Sequence, residues 1–287
     1  MTDPMMTGKT CIITGATDGI GLEAALRLGS MDARLILVGR NPTKGEAALT
    51  KLRQRVPGVV AEMHYADLSR RDDVLRLAPE LLATAPRIDV LMNNAGAFFA
   101  ERQVVDGLER TFALNHMGYF RLTALLRARL IASAPARIVN VASGAHHRAQ
   151  IDFDDLQTAK GYTGWKAYQR SKLENILFTR ALARRLEGSG VTANTLHPGF
   201  VATGFGDNNR GFWRWAIGIG KKVIAIPVER GAETPVYLAS SPAIEGVSGK
   251  YFNECREDTP SAAARNDTDA ERLWNESERL AGLAAGI

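Results

Sequence analysis

Thr10-Cys11-Ile12-Ile13-Thr14-Gly15-Ala16-Thr17-Asp18-Gly19-Ile20-Gly21 is the stretch that decides the architecture. Its opening residues, Thr10 to Thr14, read as a buried strand, and a helix from about Ile20 to Ser30 follows directly. Between them, Gly15, Gly19 and Gly21 are spaced Gly-x-x-x-Gly-x-Gly. Glycine tolerates positive φ and lets a backbone approach a bulky anion closely. The helix start beyond it offers unpaired N–H groups and a positive dipole end. A glycine-rich turn alone is a weak signal. Lodged between the first strand and first helix of an alternating chain, it points to the pyrophosphate of a dinucleotide.

That alternation continues outward from the turn. Arg34 to Val38, Val59 to Ala66, Ile88 to Met92, Arg137 to Val141 and Val191 to Leu196 read as further strands. Helices are expected at about Thr43 to Arg55, Arg71 to Ala83, Val105 to Ile131 and Thr163 to Leu186. Strands apolar on both faces and joined by helices mean a parallel sheet covered on two sides. Right-handed crossovers then give a doubly wound α/β fold with helices on both faces. After Pro198 the pattern loosens, and residues 204–226 carry glycines and the aromatics Phe205, Phe212, Trp213 and Trp215. A helix near Arg230 to Ala239, a short strand at Lys250-Tyr251-Phe252 and an amphipathic C-terminal helix restore it. No repeat or linker interrupts the chain. We therefore expect one domain over residues 1–287, with 204–226 inserted as a substrate-binding lid.

Composition removes several function classes. The 287 residues include 36 Lys plus Arg against 31 Asp plus Glu, a formal charge of +5, with 45% hydrophobic residues. This is a globular balance that excludes a disordered tail or a collagen-like fibre. The small, scattered positive excess suits an anionic small molecule and is poor support for nucleic acid. Cys11 and Cys255 are too few for a disulfide framework or a four-cysteine zinc site, and both read as buried small hydrophobes in a reducing compartment. The first residues lack a secretory pattern and no run of 18 apolar residues occurs, so the expectation is a cytoplasmic protein without a transmembrane anchor.

Further landmarks stand in order along the chain. Asn93-Asn94-Ala95-Gly96 follows the fourth strand, Asn115 lies in the next helix and Ser143 follows the fifth strand. Tyr168-x-x-x-Lys172 falls within the long helix after it, and Pro198-Gly199 closes the sixth strand. With the glycine spacing, this set resembles the short-chain dehydrogenase/reductase family over about residues 8–280. Asp106-Gly107-Leu108-Glu109, Asn115-His116-Met117-Gly118, Ser171 to Phe178 and Ser248 to Phe252 look like its retinol dehydrogenase-like branch. The resemblance implies a Rossmann-type fold, a nicotinamide cofactor and a proton-shuttling tyrosine. It also implies pairing through two long helices, as a homodimer or homotetramer.

The end of the second strand bears on which cofactor. An NAD enzyme usually holds a carboxylate there for the ribose 2′-hydroxyl. Here Val38-Gly39-Arg40-Asn41 has none, and Arg40 can make a forked contact with a 2′-phosphate. NADP(H) is the cofactor expected. Asp18 departs from the family, being acidic where a neutral or basic residue is common. Around the cofactor, the resemblance assigns Gly15, Thr17, Asp18, Gly19, Ile20 and Gly21 to the phosphates and Arg40 and Asn41 to the ribose phosphate. Asp67 and Leu68 would frame the adenine, and Asn94, Ala95 and Gly96 would pass beneath its ribose. Pro198, Gly199, Val201 and Thr203 match the stretch around the nicotinamide amide.

Tyr168 and Lys172, four residues apart on a helix, project from one face. A phenol ordinarily titrates near 10, and a neighbouring ammonium favours its phenolate, which makes it useful as a general acid or base. Ser143 would donate to the substrate oxygen. By resemblance, Lys172 also holds the nicotinamide ribose, and Asn115 holds a water that joins Lys172 to solvent. Phe98, Phe99, Trp165, Phe200, Phe205, Phe212, Trp213 and Trp215 are candidate walls for an apolar carbonyl or alcohol of moderate size, with ordinary core packing the alternative for each. His146 and His147 look like a metal pair, but adjacent residues point apart and no carboxylate-rich ligand set accompanies them. They read as structural, Asp152, Asp154 and Asp155 as solvated loop charges, and His197 as a packed strand end.

Two functions of different class follow. One is an oxidoreductase that turns over carbonyls with NADPH. The other is a redox-sensing regulatory protein that binds NADP(H) without turnover. Intact Asn115, Ser143, Tyr168 and Lys172 favour the enzyme, since a sensor needs no proton shuttle. A lid touching a membrane surface is a third, remoter reading. The chain opens without the N-terminal anchor of membrane-bound retinol dehydrogenases, which points away from a retinoid as its specific substrate.

Overall fold

Cys11 and Ile13 point to one face of a sheet and Ile12 to the other, and each face finds its own helical layer. In the computed structural model, residues 5–201 and 226–283 are described. The elements run β1 (Thr10–Thr14), α1 (Gly19–Ser30), β2 (Arg34–Gly39), α2 (Pro42–Arg55), β3 (Ala61–Tyr65), α3 (Arg71–Thr84) and β4 (Val90–Asn93). A two-strand hairpin, β5 (Val104–Val105) and β6 (Leu108–Glu109), precedes α4 (Arg110–Phe112), a π-helical turn (Ala113–Met117) and α5 (Gly118–Ala132). Then come β7 (Ala136–Val141), a 3-10 turn (Gly144–Arg148), α6 (Gly164–Arg185) and β8 (Val191–His197). Beyond residue 225 lie α7 (Val228–Gly231), α8 (Glu233–Ser240), β9 (Tyr251–Asn253), β10 (Arg256–Asp258) and α9 (Asp267–Ala281).

The main sheet has eight strands in the order β10-β9-β8-β7-β4-β1-β2-β3, and all pairs are parallel except β9 with β10. Strand order reverses between β1 and β4, so their carboxyl ends, Thr14 and Asn93, flank the switch point where α/β sheets bind ligands. Ile12, Ile36, Leu91 and Ile138 pack against Leu77 and Leu81 of α3, Leu122 and Leu126 of α5, and Leu173 and Leu177 of α6. On the other face, Cys11, Ile13, Leu35, Leu37 and Met92 meet Leu28 of α1, Leu52 of α2 and Leu238 of α8. This is the single-domain, doubly wound α/β fold the alternation implied. Asp18, Asn41, Thr163 and Asn266 start α1, α2, α6 and α9 by accepting from first-turn amides.

Three expectations need correction. The helix expected from Val105 begins only at Arg110, because Asp106 and Gly107 adopt φ of 51° and 77° and turn the chain into the hairpin. β10 was not foreseen. Its turn residues Glu254 and Cys255 lie at φ 48° and 60°, which leaves the Cys255 thiol half-buried rather than in the core. The helix expected over Arg230 to Ala239 is broken at Ala232. The lid at 204–226 falls outside the described residues, save Ile226, which bridges to Val201. Among the described residues no helix is long and apolar enough to cross a membrane.

A buried polar chain locks the sheet centre to its helices. Asn93 donates to Asn140 at 2.8 Å and to Thr123 at 3.0 Å, and Asn140 donates to Thr179 at 2.9 Å. Removing one member strands the others without water. Asn140→Ala is therefore expected to lower stability by about 2–3 kcal/mol in urea titrations; a loss below about 0.5 kcal/mol would contradict that role.

Candidate active site

A cleft of about 820 Å³ opens at the switch point. One end is lined by Gly15, Thr17, Asp18, Gly19, Ile20, Arg40, Asn41, Asp67, Leu68, Asn94, Ala95 and Gly96. The other is lined by Ser143, Trp165, Tyr168, Lys172, Pro198, Gly199, Phe200 and Val201. Gly21 packs on Gly15, Asn115 on Gly96 and Phe98 on Tyr168, each of these three partners a lining residue. Thr203, Phe205, Phe212, Trp213 and Trp215 lie outside the described residues.

Space is tightest at the glycine turn. Gly15 has φ 65°, and a Cβ there would come within 2.8 Å of the Ala95 Cα. A Cβ on Gly21 would run into the Gly15 carbonyl oxygen. Thr14 fixes this approach, its hydroxyl accepting from the amides of Asn94 (2.9 Å) and Ala95 (3.0 Å). The Asn94 side chain donates back to the Thr14 and Gly15 carbonyls at 2.9 and 3.3 Å. Asp18 is exposed and turned onto its own helix, accepting from Gly19 N at 2.7 Å. Its acidity thus serves helix capping.

Arg40 projects from the end of β2 with its side chain exposed, 3.7 Å from the Asp67 carboxylate. Asn41 caps α2 by accepting from Lys44 N at 3.0 Å. The Asp67 carboxylate also accepts from Ser69 N and Oγ, at 3.0 and 2.6 Å, so it is held in place.

At the other end, Tyr168 lies between Phe98, edge-on at 6.4 Å, and Trp165, stacked at 5.8 Å. Phe98 is buried, whereas Trp165 and Phe200 are 50% and 46% exposed, at the cleft mouth. Ser143 and Tyr168 line the same end of the cleft. Lys172 Nζ donates to the Val141 carbonyl at 3.0 Å and sits 5.6 Å from the Tyr168 ring centre and 6.0 Å from that of Tyr119. Although Tyr168 keeps some surface open to the cleft, burial pushes its phenol up to about 12, against a lowering pull from Ser143. Burial also brings the Lys172 ammonium down to about 7. The expected lowering of Tyr168 by Lys172 is thus not the governing effect among the chain's own groups.

Asn115 sits in the π turn, fully buried. Its side chain accepts from Ala97 N at 2.9 Å and donates to Ala97 O and Ser171 Oγ, both at 3.0 Å. Ser171 donates in turn to the Tyr168 carbonyl at 2.8 Å. Asn115 therefore ties the loop after Gly96 to the helix of Tyr168 and Lys172.

The family model described as short chain dehydrogenase matches residues 9–211. The chain belongs to the short-chain dehydrogenase/reductase family. It is 42% identical to retinol dehydrogenase 14 of Homo sapiens over 98% of this chain and 89% of that protein. This places it with the retinol dehydrogenase-like members of the family. An uncharacterized protein from Mycobacterium Paratuberculosis is 30% identical with a TM-score of 0.77, covering 96% of this chain and 94% of its own. RhlG of Pseudomonas aeruginosa, solved as an NADP active-site complex, is 25% identical with a TM-score of 0.68, covering 88% and 97%. Like its relatives, this short-chain dehydrogenase/reductase is an oxidoreductase.

Thr14, Tyr119 and Ser171 were given no role of their own in the sequence. Ser171 alone carried a signal, as the residue before Lys172 and one helical turn from Tyr168. His146 and His147 do not point apart. Their ring centres are 4.0 Å apart. Among the described residues no group of three or more His, Cys, Asp or Glu could hold a metal.

The Lys172 shift has a measurable sign. Between about pH 7 and the ordinary lysine value near 10.4, the folded chain binds fewer protons at this site than the unfolded chain. Its burial cost therefore shrinks as pH rises through that window. Lys172→Met should exceed the wild type in stability by a margin that narrows from pH 7 to 10 in urea titrations. A margin independent of pH would contradict the depressed value.

Proposed function

We propose that this short-chain dehydrogenase/reductase is NADP(H)-dependent and interconverts an apolar or aromatic carbonyl compound and its alcohol, with Tyr168 as general acid and base. One observation carries the reading. A single cleft joins the glycine turn and Arg40 at one end to Ser143, Tyr168 and Lys172 at the other. The cradle suits a dinucleotide, since a Cβ at Gly15 or Gly21 would collide with Ala95 or with the Gly15 carbonyl and open the tight turn at the start of α1 that pyrophosphate binding uses. Arg40 follows β2, whose own end carries no carboxylate, and although Asp67 lies 3.7 Å away its exposed guanidinium favours a 2′-phosphate; the NADP complex of RhlG supports the same cofactor.

When bound, the nicotinamide supplies or accepts the hydride. The chain does the rest. Tyr168, holding its proton at neutral pH, donates it to the carbonyl oxygen during reduction and takes it back during oxidation. Ser143 donates to the same oxygen and stabilises the charge that develops there. Lys172 orients the nicotinamide ribose, and Asn115 keeps the loop and helix around it in place. Asp67 and Leu68 would hold the adenine, Asn94, Ala95 and Gly96 its ribose, and Pro198, Gly199 and Val201 the nicotinamide end. Phe98, Trp165 and Phe200 form the apolar wall. The retinol dehydrogenase relatives support an apolar alcohol and carbonyl pair.

A carbonyl panel that includes a retinoid, followed by loss of NADPH absorbance, tests this directly. Tyr168→Phe should lower kcat by about 10³-fold while NADPH binding by fluorescence persists. Retained turnover in that variant would overturn the assignment. Arg40→Ala should weaken NADPH binding by about tenfold or more and leave NADH nearly unchanged; equal use of both cofactors by the wild type would refute the preference.

A further inference from the structure

The peptide group between Ser143 and Gly144 has one acceptor and one donor, and each meets a different imidazole. His146 Nδ1 lies 2.7 Å from the Ser143 carbonyl oxygen. His197 Nδ1 accepts from the Gly144 amide at 3.0 Å. A carbonyl only accepts and an amide N–H only donates, so the partners fix both tautomers. His146 carries its hydrogen on Nδ1, and its Nε2 accepts from Ser261 N at 3.1 Å. His197 must leave Nδ1 bare and carry its hydrogen on Nε2. The His197 ring also lies where a Cβ on Gly144 would meet it at 3.2 Å. Three separate segments thus converge on this one peptide group: the turn after β7, the end of β8, and the segment after β10.

We propose that His146 and His197 are positioning residues that clamp the Ser143–Gly144 peptide group from both edges and so set the Ser143 side chain at the end of the cleft that Tyr168 also lines. The proposal rests on the reading of Ser143 and Tyr168 given above. Ser143 starts the 3-10 turn with its Oγ accepting from Ala145 N at 3.2 Å, so its side chain follows the orientation of this peptide. His146 is fully buried, packed 4.0 Å from the His147 ring and 5.1 Å from that of Tyr251. Ser261 makes it the anchor of the segment after β10.

The clamp works only with both rings neutral. A proton on His197 Nδ1 would oppose the Gly144 N–H, and one on His146 Nε2 would oppose that of Ser261. The groups facing His146 are His147, His197, Asp258 and Tyr251, and those facing His197 are His146, His147 and Asp258. Desolvation dominates for both rings, holding His146 down at about 4 and His197 below its ordinary value. The clamp is therefore intact at neutral pH and is lost in acid as these rings protonate.

Asparagine can place a carbonyl oxygen where His197 Nδ1 stands, with no proton to gain. His197→Ala should lower kcat by about 10–100-fold with KM for NADPH within about twofold of wild type. His197→Asn should recover kcat to within about fivefold and shift the acid limb of the kcat profile to lower pH. Equal rates in wild type and His197→Ala, or an unmoved acid limb in His197→Asn, would overturn the proposal. Nitrogen-15 spectra of the imidazoles at neutral pH give a readout independent of turnover and of whether His197→Ala folds. They should show His146 protonated at Nδ1 and His197 at Nε2, and the reverse tautomers would refute the clamp. A wild type that reduces no carbonyl would count against the proposed function, while the spectra would still decide the clamp.

Discussion

The Thr14 hydroxyl holds together the two strands that part at the centre of the sheet. It accepts from the amides of Asn94 and Ala95, and the Asn94 side chain answers onto the Thr14 and Gly15 carbonyls. Beyond this junction β2 and β3 lie to one side and β7 to β10 to the other. Every later part of the cleft is referenced to that seam. Asn115 grips Ala97 just past it and reaches Ser171, and Ser171 reaches the carbonyl of Tyr168. A short relay of buried hydrogen bonds therefore sets the distance between the glycine turn and the phenol. Hydrogen bonds of this kind contribute little net free energy each, but leaving any one unmade in a dry interior is costly. Geometry is the main gain.

Much of this was legible in the order of residues. The strand and helix alternation reports burial on two faces, and Cys11, Ile12 and Ile13 sort between the two cores as a two-residue period demands. The glycine turn, Ser143, Tyr168 and Lys172 stood out by type and spacing, and they line one cleft. What escaped was set by tertiary context or by φ. Asp106-Gly107 signalled a tight turn but sat inside an apolar pattern that reads as helix. Adjacent side chains point to opposite faces of a strand but only about a third of a turn apart on a 3-10 turn, and so the contact of His146 with His147 was missed. The partners of Thr14 lie 80 residues away in the chain, where no local pattern reaches.

Charge within the site follows from exclusion of water more than from pairs. Burial lowers Lys172 and raises Tyr168, so both groups lean toward their neutral forms. A lysine near the working pH is responsive. The approach of any charged group will move it further than it would a solvated amine. A phenol that keeps its proton is suited to giving it up to an oxygen that is gaining charge. Lys172 lies between the rings of Tyr119 and Tyr168 while its ammonium donates to Val141, an arrangement that fixes its direction before anything binds.

One margin of the sheet ends in Arg256, Glu257 and Asp258, a strand of three exposed, charged residues running against its neighbour. Sheets with long, flat, apolar borders recruit strands from other molecules. Here the border is too short and too heavily solvated to serve as such a template. Parallel hydrogen bonding therefore stops within the molecule on that side, and a chain rich in Val, Ile and Leu strands is shielded there from fibrous growth.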